Sequence, residues 1–290
     1  MRLGAPLTID SADPGDLAQA HVDLGYRAGF CPWALSMADL PYLQALRDAF
    51  AVRDVVLAEV IGWRNLLPRD GARREASFGW VAEQLAVADE IGARCCVTFG
   101  GTVDDVGSWT PHPDNLTPAM FDRIVEVVRR LLDTVRPKRT KLALEMMGSV
   151  YPDSADSYLD LIRAVDRPGF AVHLDPVNII LSREQYFHNA GLIRECFRKL
   201  GPWIASCHAK DVVWRAERGF HFAETIPGTG VLDFHTYLTE LGRLSPDIPL
   251  LLEHLRSPAE YRQGYEHLQA VAGELGLAPG TALSAPRRPL

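Results

Sequence analysis

The chain has 290 residues, of which 47% are hydrophobic and 23% are charged, and its formal net charge at pH 7 is −7. This composition is typical of a globular protein with ample apolar material for a core. The negative balance and the lack of any Lys/Arg run argue against a nucleic acid or an anionic membrane surface as partner. No apolar run approaches the length of a membrane span, and the first residues lack the apolar core of a signal peptide.

The five cysteines indicate a reducing compartment. Their number is odd, and no C-x-x-C motif occurs. Cys95, Cys96 and Cys207 fall in apolar, strand-like runs, and Cys196 falls in a helix-like stretch. This usage is typical of reduced and buried thiols, so we expect a cytoplasmic protein.

Strand-like and helix-like segments alternate along the chain. Short apolar runs predict eight strands, at residues 3–9, 26–31, 55–60, 94–99, 142–146, 170–175, 204–208 and 248–253. Amphipathic periodicity predicts helices between them, at residues 16–22, 38–52, 78–91, 121–135, 157–165, 192–200 and 234–244. A last helix should open at Ser257-Pro258-Ala259-Glu260, which combines an N-cap, a proline at the first helical position and a capping-box glutamate.

This alternation predicts a single domain of the α/β class. Parallel strands follow from the alternation, and eight units favour a closed (β/α)8 TIM barrel over an open doubly wound sheet. The glycine fingerprint G-x-G-x-x-G of a dinucleotide site, which would support the open sheet, is absent. No stretch is typical of a domain linker, so we assign the barrel to residues 1–277. Residues 278–290 have little to bury and are expected to form a flexible tail.

Four consecutive predicted strands end on a residue that can ligate a metal: Glu145, Asp175, His208 and Glu253. They lie 30, 33 and 45 residues apart, which is about the length of one strand plus one helix. In a parallel barrel these ends face one mouth, where the active sites of this fold are found. Charged groups buried there are costly unless they are paired, and a divalent cation offsets that cost. We therefore predict one divalent cation site built from all four residues.

The same segments resemble the sugar phosphate isomerase/epimerase family, whose fold is a xylose-isomerase-like barrel. The motifs that carry the resemblance are Leu142-Ala143-Leu144-Glu145, His173-Leu174-Asp175-Pro176-Val177-Asn178, Cys207-His208-Ala209-Lys210-Asp211, the run 227–234 and Leu252-Glu253-His254. The likeness extends upstream to residues 58–65 and 88–94, and so covers most of the chain. Each motif is short, and their order and spacing make the match specific.

The resemblance implies that Glu145, Asp175, His208 and Glu253 bind one divalent metal ion, which is commonly Mn, Mg, Co or Zn in this family. It also implies that Glu145 and Glu253 are the acid/base pair of a sugar or keto-sugar isomerase or epimerase. Removing a proton next to a carbonyl builds up enediolate charge, which a cation bridging the substrate oxygens stabilises. Carboxylates on opposite faces of that carbon could remove the proton and return it.

The chain departs from the epimerases of this family at one position. Those enzymes carry a histidine three residues after the metal-ligating aspartate, where this chain has Asn178. An asparagine can hydrogen-bond a substrate hydroxyl but cannot carry a positive charge. Lys210, two residues after His208, should face the same mouth, where it could hold an oxyanion or protonate an enolate. An ion pair with Asp211 is the alternative for Lys210.

Three residues at or just past the end of the third strand are candidate substrate contacts: Glu59, Trp63 and Asn65. Ordinary loop or packing positions are the alternative for each of them. His173 is either an outer partner of the ligands or a core histidine. His254 directly follows a ligand and should point outward, toward the helices.

The segment after the seventh strand is predicted to be a long loop from which His221 and Glu224 could reach the mouth. Its turn at residues 227–230 is interpreted as a requirement of backbone geometry, not as a phosphate site. No role is assigned to His112 and His188.

Two further functions are compatible with the same residues. A metal-dependent lyase or dehydratase, acting on a keto-inositol or a 3-keto-glycoside, would keep the site and expel a group β to the enolate. A non-catalytic sugar-binding protein is disfavoured by the intact ligand set. An endonuclease IV-like hydrolase fits poorly, because its trinuclear zinc site needs more histidines and the chain is acidic. The expected partner is thus a small sugar or keto-sugar, and a homo-oligomer is left open.

Overall fold

The computed structural model describes residues 1–7, 9–104, 110–219 and 221–277. Over these residues the chain forms a closed barrel of eight parallel strands with helices around it. The predicted single (β/α)8 barrel is therefore confirmed. The predicted tail at residues 278–290 lies outside the described residues.

The barrel strands follow one another around the ring in chain order, and the first pairs with the last. They are β1 (Arg2–Gly4), β2 (Ala28–Phe30), β3 (Val56–Ile61), β4 (Cys95–Thr98), β5 (Leu142–Glu145), β6 (Phe170–Leu174), β7 (Ile204–Ala209) and β10 (Pro249–Leu252). Between β7 and β10 the chain adds an antiparallel hairpin of β8 (Asp211–Trp214) and β9 (Phe222–Thr225). The prediction of a loop there was wrong, because each hairpin strand has only four residues and β9 lacks a fully buried side.

Nine α-helices fall within the described residues. They are α1 (Pro14–Asp23), α2 (Leu40–Val52), α3 (Gly71–Ile91), α4 (Pro118–Val135), α5 (Ala155–Val165), α6 (Arg183–Phe187), α7 (Asn189–Leu200), α8 (Phe234–Leu241) and α9 (Pro258–Glu274). The short α6 was not predicted. None of the described helices combines the length and the apolar character that crossing a membrane requires.

Helix ends explain where the predicted boundaries held and where they moved. Gly92 ends α3 in the left-handed region at φ 69°, as predicted. The helix begins at Gly71 instead of residue 78, because the Asp70 side chain caps it by accepting the Arg73 N–H. The apolar periodicity starts at Phe78, about two turns into the helix, and so missed this cap. The predicted N-cap of α9 is confirmed, since Ser257 accepts the Glu260 N–H.

Inside the barrel, small apolar residues fill the lower part of the lumen. Ala28, Ala58 and Leu251 form one cluster, and Cys95, Val97 and Ala143 form another. Side chains alternate along a strand, so the inward positions after Ala143 and Leu251 are Glu145 and Glu253. On β5 and β10, Glu145 and Glu253 therefore follow apolar residues on the inward face of the strand.

A buried tyrosine joins two of the strands that carry the site. The hydroxyl of Tyr158, on α5, lies 2.7 Å from the Leu144 carbonyl oxygen and 3.0 Å from the Leu144 N–H on β5. It also lies 2.6 Å from the Ala171 carbonyl oxygen on β6. These contacts satisfy backbone groups next to Glu145.

We expect Tyr158→Phe to destabilise the barrel by about 0.5–1.5 kcal/mol, because it removes a buried hydrogen bond between α5 and the barrel strands. Thermal and urea unfolding followed by circular dichroism would measure the loss. Tyr151→Phe is the matched control, since that hydroxyl makes an exposed hydrogen bond to the Leu116 carbonyl. Equal stability losses in the two variants would contradict a special role for Tyr158.

Candidate active site

The four predicted ligands converge at the mouth of the barrel. One ligand atom each from Glu145, Asp175, His208 and Glu253 lies within 4.8 Å of all the others. The Nδ1 atom of His208 is 3.0 Å from Glu253 Oε2, 3.7 Å from Glu145 Oε1 and 3.8 Å from Asp175 Oδ2. Residues from four separate repeats therefore form one cluster, because each stands at or just past the end of its strand.

Each member of this cluster has a buried polar atom without a hydrogen bond among the described residues. These atoms are Glu145 Oε2, Asp175 Oδ2, His208 Nδ1 and Glu253 Oε2. Close charge contacts to neighbouring groups are present, but a buried polar atom without a hydrogen bond is destabilising. Three carboxylate oxygens and one imidazole nitrogen form a donor set that suits Mn²⁺, Mg²⁺, Co²⁺ or Zn²⁺. The arrangement fits a divalent metal ion.

The electrostatics of the cluster point to a missing positive charge. Burial raises the pKa of Asp175, and the negative charges of Glu145 and Glu253 add to that rise, against the opposing effect of Lys210. Burial lowers the pKa of His208, but the carboxylates of Glu253 and Glu59 outweigh it and raise that pKa well above its ordinary value. A bound cation would relieve the same repulsion with His208 neutral, as ligation requires.

Glu59 lies one layer below the ligands. Its carboxylate is fully buried, with Oε2 3.3 Å from His208 Nε2 and Oε1 3.2 Å from His173 Nδ1. It also accepts a hydrogen bond from the Ser206 hydroxyl. Burial raises the pKa of Glu59, but the positive charges of His173 and His208 outweigh it and hold that pKa low. Glu59 was expected to contact substrate. In the structure it lies below the cavity instead, where its carboxylate orients His208.

Lys210 is drawn into the cluster instead of pairing with its neighbour. Its side chain is 2% exposed, and its ammonium lies 2.8 Å from Asp175 Oδ2, 2.9 Å from Glu253 Oε2 and 3.2 Å from Glu224 Oε1. It faces the mouth, as predicted from its position two residues after His208. Burial lowers the pKa of Lys210, but the surrounding carboxylates outweigh it, so the lysine stays charged.

Asp211, the alternative partner of Lys210, has another task. Its carboxylate accepts the backbone N–H groups of Val212, Gly228, Gly230 and Leu232 at 2.7–2.9 Å. The turn at residues 227–230 is thus held by a carboxylate of the chain itself. This agrees with its interpretation as backbone geometry and leaves the Gly228 and Gly230 N–H groups unavailable to a phosphate.

Asn178 bridges Glu145 and Lys210 through its side-chain amide. Its Nδ2 donates to Glu145 Oε1 at 2.7 Å, and its Oδ1 accepts from Lys210 Nζ at 3.2 Å. The side chain also lines the cavity above the ligands. Asn178 therefore holds Glu145 in position and also faces the cavity, where it can contact a bound small molecule.

The cavity above the cluster has a volume of about 630 Å³. Five of the predicted residues line it: Trp63, Glu145, Asn178, Lys210 and Glu253. Asn65 does not, because its side chain binds loop backbone, donating to the carbonyls of Thr102 and Asp104 and accepting the N–H groups of Leu67 and Thr102. The prediction that Asn65 contacts substrate was therefore wrong, and its side chain instead stabilises the surrounding loops.

The barrel agrees with a family comparison. The profile of the family described as xylose isomerase-like TIM barrel matches residues 19–271. The chain belongs to the xylose isomerase-like TIM barrel family. A search of curated proteins found no match.

Solved structures share the fold of this xylose isomerase-like barrel. Endonuclease IV from Thermus thermophilus is 21% identical, with a TM-score of 0.67 over 94% of this chain and 100% of that chain. The probable 3-DHS dehydratase AsbF from Bacillus anthracis is 16% identical, with a TM-score of 0.68 over 95% and 99% of the two chains. D-psicose 3-epimerase from Clostridium cellulolyticum is 14% identical, with a TM-score of 0.64 over 93% and 99%. One fold thus carries several chemistries.

Two further polar residues belong to the xylose isomerase-like site. Glu224 reaches the mouth, as its predicted position allowed, although it stands on β9 and not in a loop, and it contacts both Lys210 and His254. His254 was expected to point outward, but it lines the cavity, with Nε2 3.3 Å from Glu253 Oε1. The strand ends at Leu252, and His254 adopts φ 59°, so the alternation of side chains no longer applies there.

Aromatic residues of the cavity wall were missed altogether. Phe30, Trp33 and Tyr261 line the cavity together with Trp63. Phe30 ends β2 and Trp33 follows it closely, so the rule that barrel sites form at strand ends would have found both. Tyr261 arrives on α9 and carries no comparable signal in the sequence.

We expect the purified protein to contain about one divalent metal ion per chain, because three buried carboxylates and one imidazole converge within 4.8 Å of one another, and Lys210 offsets their repulsion only in part. Elemental analysis after mild purification, and after reloading with Mn²⁺, Co²⁺ or Zn²⁺, would measure it. Asp175→Asn should lower metal content sharply, whereas Asp48→Asn, on the exposed surface of α2, should leave it unchanged. No metal and no uptake in the wild type would contradict the metal site.

We expect Glu59→Gln to weaken metal binding about 10–100-fold, because His208 loses the charged partner that orients it. Competition with a chelating dye would give the affinity. Ser206→Ala is the control, since it removes a neighbour of Glu59 but leaves the contact to His208 intact. Unchanged metal affinity in Glu59→Gln would show that Glu59 does not act through His208.

Proposed function

We propose that the chain is a divalent-metal-dependent isomerase or epimerase of a sugar or keto-sugar. The observation that carries this proposal is the position of Glu145 and Glu253, which belong to the ligand cluster and also line the cavity. A carboxylate in both places can hold the metal and meet the carbon next to a substrate carbonyl. The proposal includes a cytoplasmic location, supported by the five buried free cysteines, and a barrel domain spanning residues 1–277.

In this mechanism the chain's own residues move the proton. Glu145 and Glu253 act as the acid/base pair, one removing the proton next to the carbonyl and the other returning it. Without a metal, burial raises the pKa of each carboxyl, but the charge of His208 outweighs it and lowers both values, so both glutamates are ionised. With a metal bound and His208 neutral, the charge of the cation would keep them ionised. A bound divalent cation would stabilise the negative charge that develops on the substrate oxygens as the enediolate forms.

Asn178 and Lys210 complete the reaction site. Asn178 donates to the Oε1 oxygen of Glu145 and so restricts the orientation of that carboxylate. The Lys210 ammonium lies close to both Asp175 and Glu253, and its charge can stabilise a developing oxyanion. Trp63 stacks on Phe99 with ring centroids 5.0 Å apart, which gives the cavity a rigid aromatic wall.

A lyase or dehydratase is the second candidate, and Lys210 is the observation that favours it. Elimination β to an enolate needs an acid for the leaving group, and a buried ammonium beside Glu253 can supply that proton. The structural likeness to the probable 3-DHS dehydratase AsbF agrees with this chemistry. The candidate substrates are a keto-inositol or a 3-keto-glycoside.

A nuclease is not proposed, although endonuclease IV shares the fold. Within the part of the chain that the structure describes, the ligand cluster at the mouth contains a single histidine, His208. The second histidine nearby, His173, is fully enclosed together with Glu59 below the cluster. The net charge of −7 also disfavours a polyanionic substrate.

We expect the metal-loaded protein, incubated with ketoses in deuterated water, to give isomeric products with deuterium at the exchanged carbon. Glu253→Gln should lower the rate by about 10²–10⁴-fold, because the variant loses an acid/base group. Mass spectrometry and NMR of the products would measure both. Glu217→Gln, on the exposed hairpin turn, is the control and should keep full activity.

The product distinguishes the two candidate functions. A product that has lost water or an aglycone would select the lyase. Full activity of Glu253→Gln with normal metal content would contradict its role as acid or base.

A further inference from the structure

We propose that this site takes an uncharged sugar, and that Glu224 on the β8–β9 hairpin is the residue that disfavours phosphorylated or carboxylated ones. The inference rests on the proposed function and narrows its substrate class. It follows from three properties of the described residues: the pairing of the cations in the cavity, the position of Glu224 and the nature of the cavity wall.

The cations of the cavity are already paired. Among the described residues that line it, Lys210 and His254 are the side chains that can carry a positive charge, and no arginine is present. Lys210 lies within 3.2 Å of three carboxylates, those of Asp175, Glu224 and Glu253. His254 Nδ1 is 2.8 Å from Glu224, and its Nε2 is 3.3 Å from Glu253. A phosphate site would instead offer donors without an internal partner.

Glu224 stands on the open side of both cations. Its Oε1 faces Lys210 and its Oε2 faces His254, so the single carboxylate of Glu224 contacts both cations. The Lys210 side chain is 2% exposed, whereas that of Glu224 is 40% exposed. An anionic substrate group approaching either cation from the cavity must therefore come close to the Glu224 carboxylate, which repels it.

The charge of the whole group agrees with this arrangement. Four carboxylates, those of Glu145, Asp175, Glu224 and Glu253, surround the ammonium of Lys210. A divalent cation would still leave no net positive charge on the group, even with His254 protonated. An uncharged sugar meets no electrostatic penalty at such a site, whereas a phosphorylated sugar carries its charge into a region without net positive potential.

The cavity wall supplies the kind of contact that an uncharged sugar can use. Phe30, Trp33, Trp63 and Tyr261 line it, and aromatic faces pack against the apolar faces of sugar rings. Trp33 is 72% exposed at the rim, where it can pack on the outer part of a substrate. Binding energy at this site thus comes from the metal cluster and from aromatic contact, and not from paired positive charges.

Binding of matched sugars to the metal-loaded protein tests the inference. The pairs are D-fructose with D-fructose 6-phosphate, D-tagatose with its 6-phosphate and D-xylulose with its 5-phosphate, measured by calorimetry. The wild type should bind the uncharged member at least about tenfold more tightly, and Glu224→Gln should reduce that preference at least about tenfold. Glu224→Gln should also bind inorganic phosphate about tenfold more tightly than the wild type does. Glu217→Gln, on the same hairpin, should match the wild type.

The outcomes separate this inference from the proposed function. Wild-type affinity for a phosphorylated sugar equal to or above that for its parent would overturn the uncharged substrate. Equal preference and equal phosphate affinity in Glu224→Gln and the wild type would overturn the role of Glu224. Binding of neither member of any pair would count against the proposed function, while the phosphate titration would still test Glu224. Because both proteins carry the same metal, their difference in phosphate affinity reports Glu224 alone.

Discussion

Repulsion among buried carboxylates is the constraint that organises the mouth of this barrel. Glu145, Asp175 and Glu253 each place an oxygen within 4.8 Å of the other ligand atoms. Two like charges about 4 Å apart repel by about 4 kcal/mol at an effective dielectric constant near 20. The cluster therefore needs positive charge at its centre, and Lys210 supplies only part of it. A divalent cation would supply the remainder, so the packing itself favours metal binding.

Holding such a cluster together requires support from below and from the side. Glu59, under the cluster, fixes the Nε2 side of His208, so Nδ1 is directed toward the carboxylates. Asn178, beside it, fixes one oxygen of Glu145. The Tyr237 hydroxyl donates to the His208 backbone carbonyl at 2.9 Å and so anchors the strand that carries this ligand. Neutral and charged hydrogen bonds thus hold the cluster residues in place against the repulsion between their carboxylates.

The sequence was sufficient to predict the barrel and the convergence of the four candidate ligands, because both depend on period and spacing. A strand that ends on a carboxylate, repeated every strand–helix unit, leaves little freedom in where that carboxylate lies. Depth along a strand was harder to predict. Glu59 looked like a strand end, but β3 continues to Ile61, so Glu59 lies one inward layer deeper. Glu224 and His254 depend on a hairpin and on a left-handed backbone residue, and neither leaves a hydrophobic pattern in the sequence.

The residues of the cluster and the residue proposed to select the substrate come from different parts of the fold. The ligands come from strands whose position is fixed by barrel closure, so moving one of them would disturb the whole ring. Glu224 comes from a hairpin that pairs with itself outside the barrel, with Val212 opposite Glu224. A change in the hairpin can therefore alter the charge that a substrate meets while the ligand set keeps its geometry. A fixed barrel with a variable rim is how one fold can carry sites of different function.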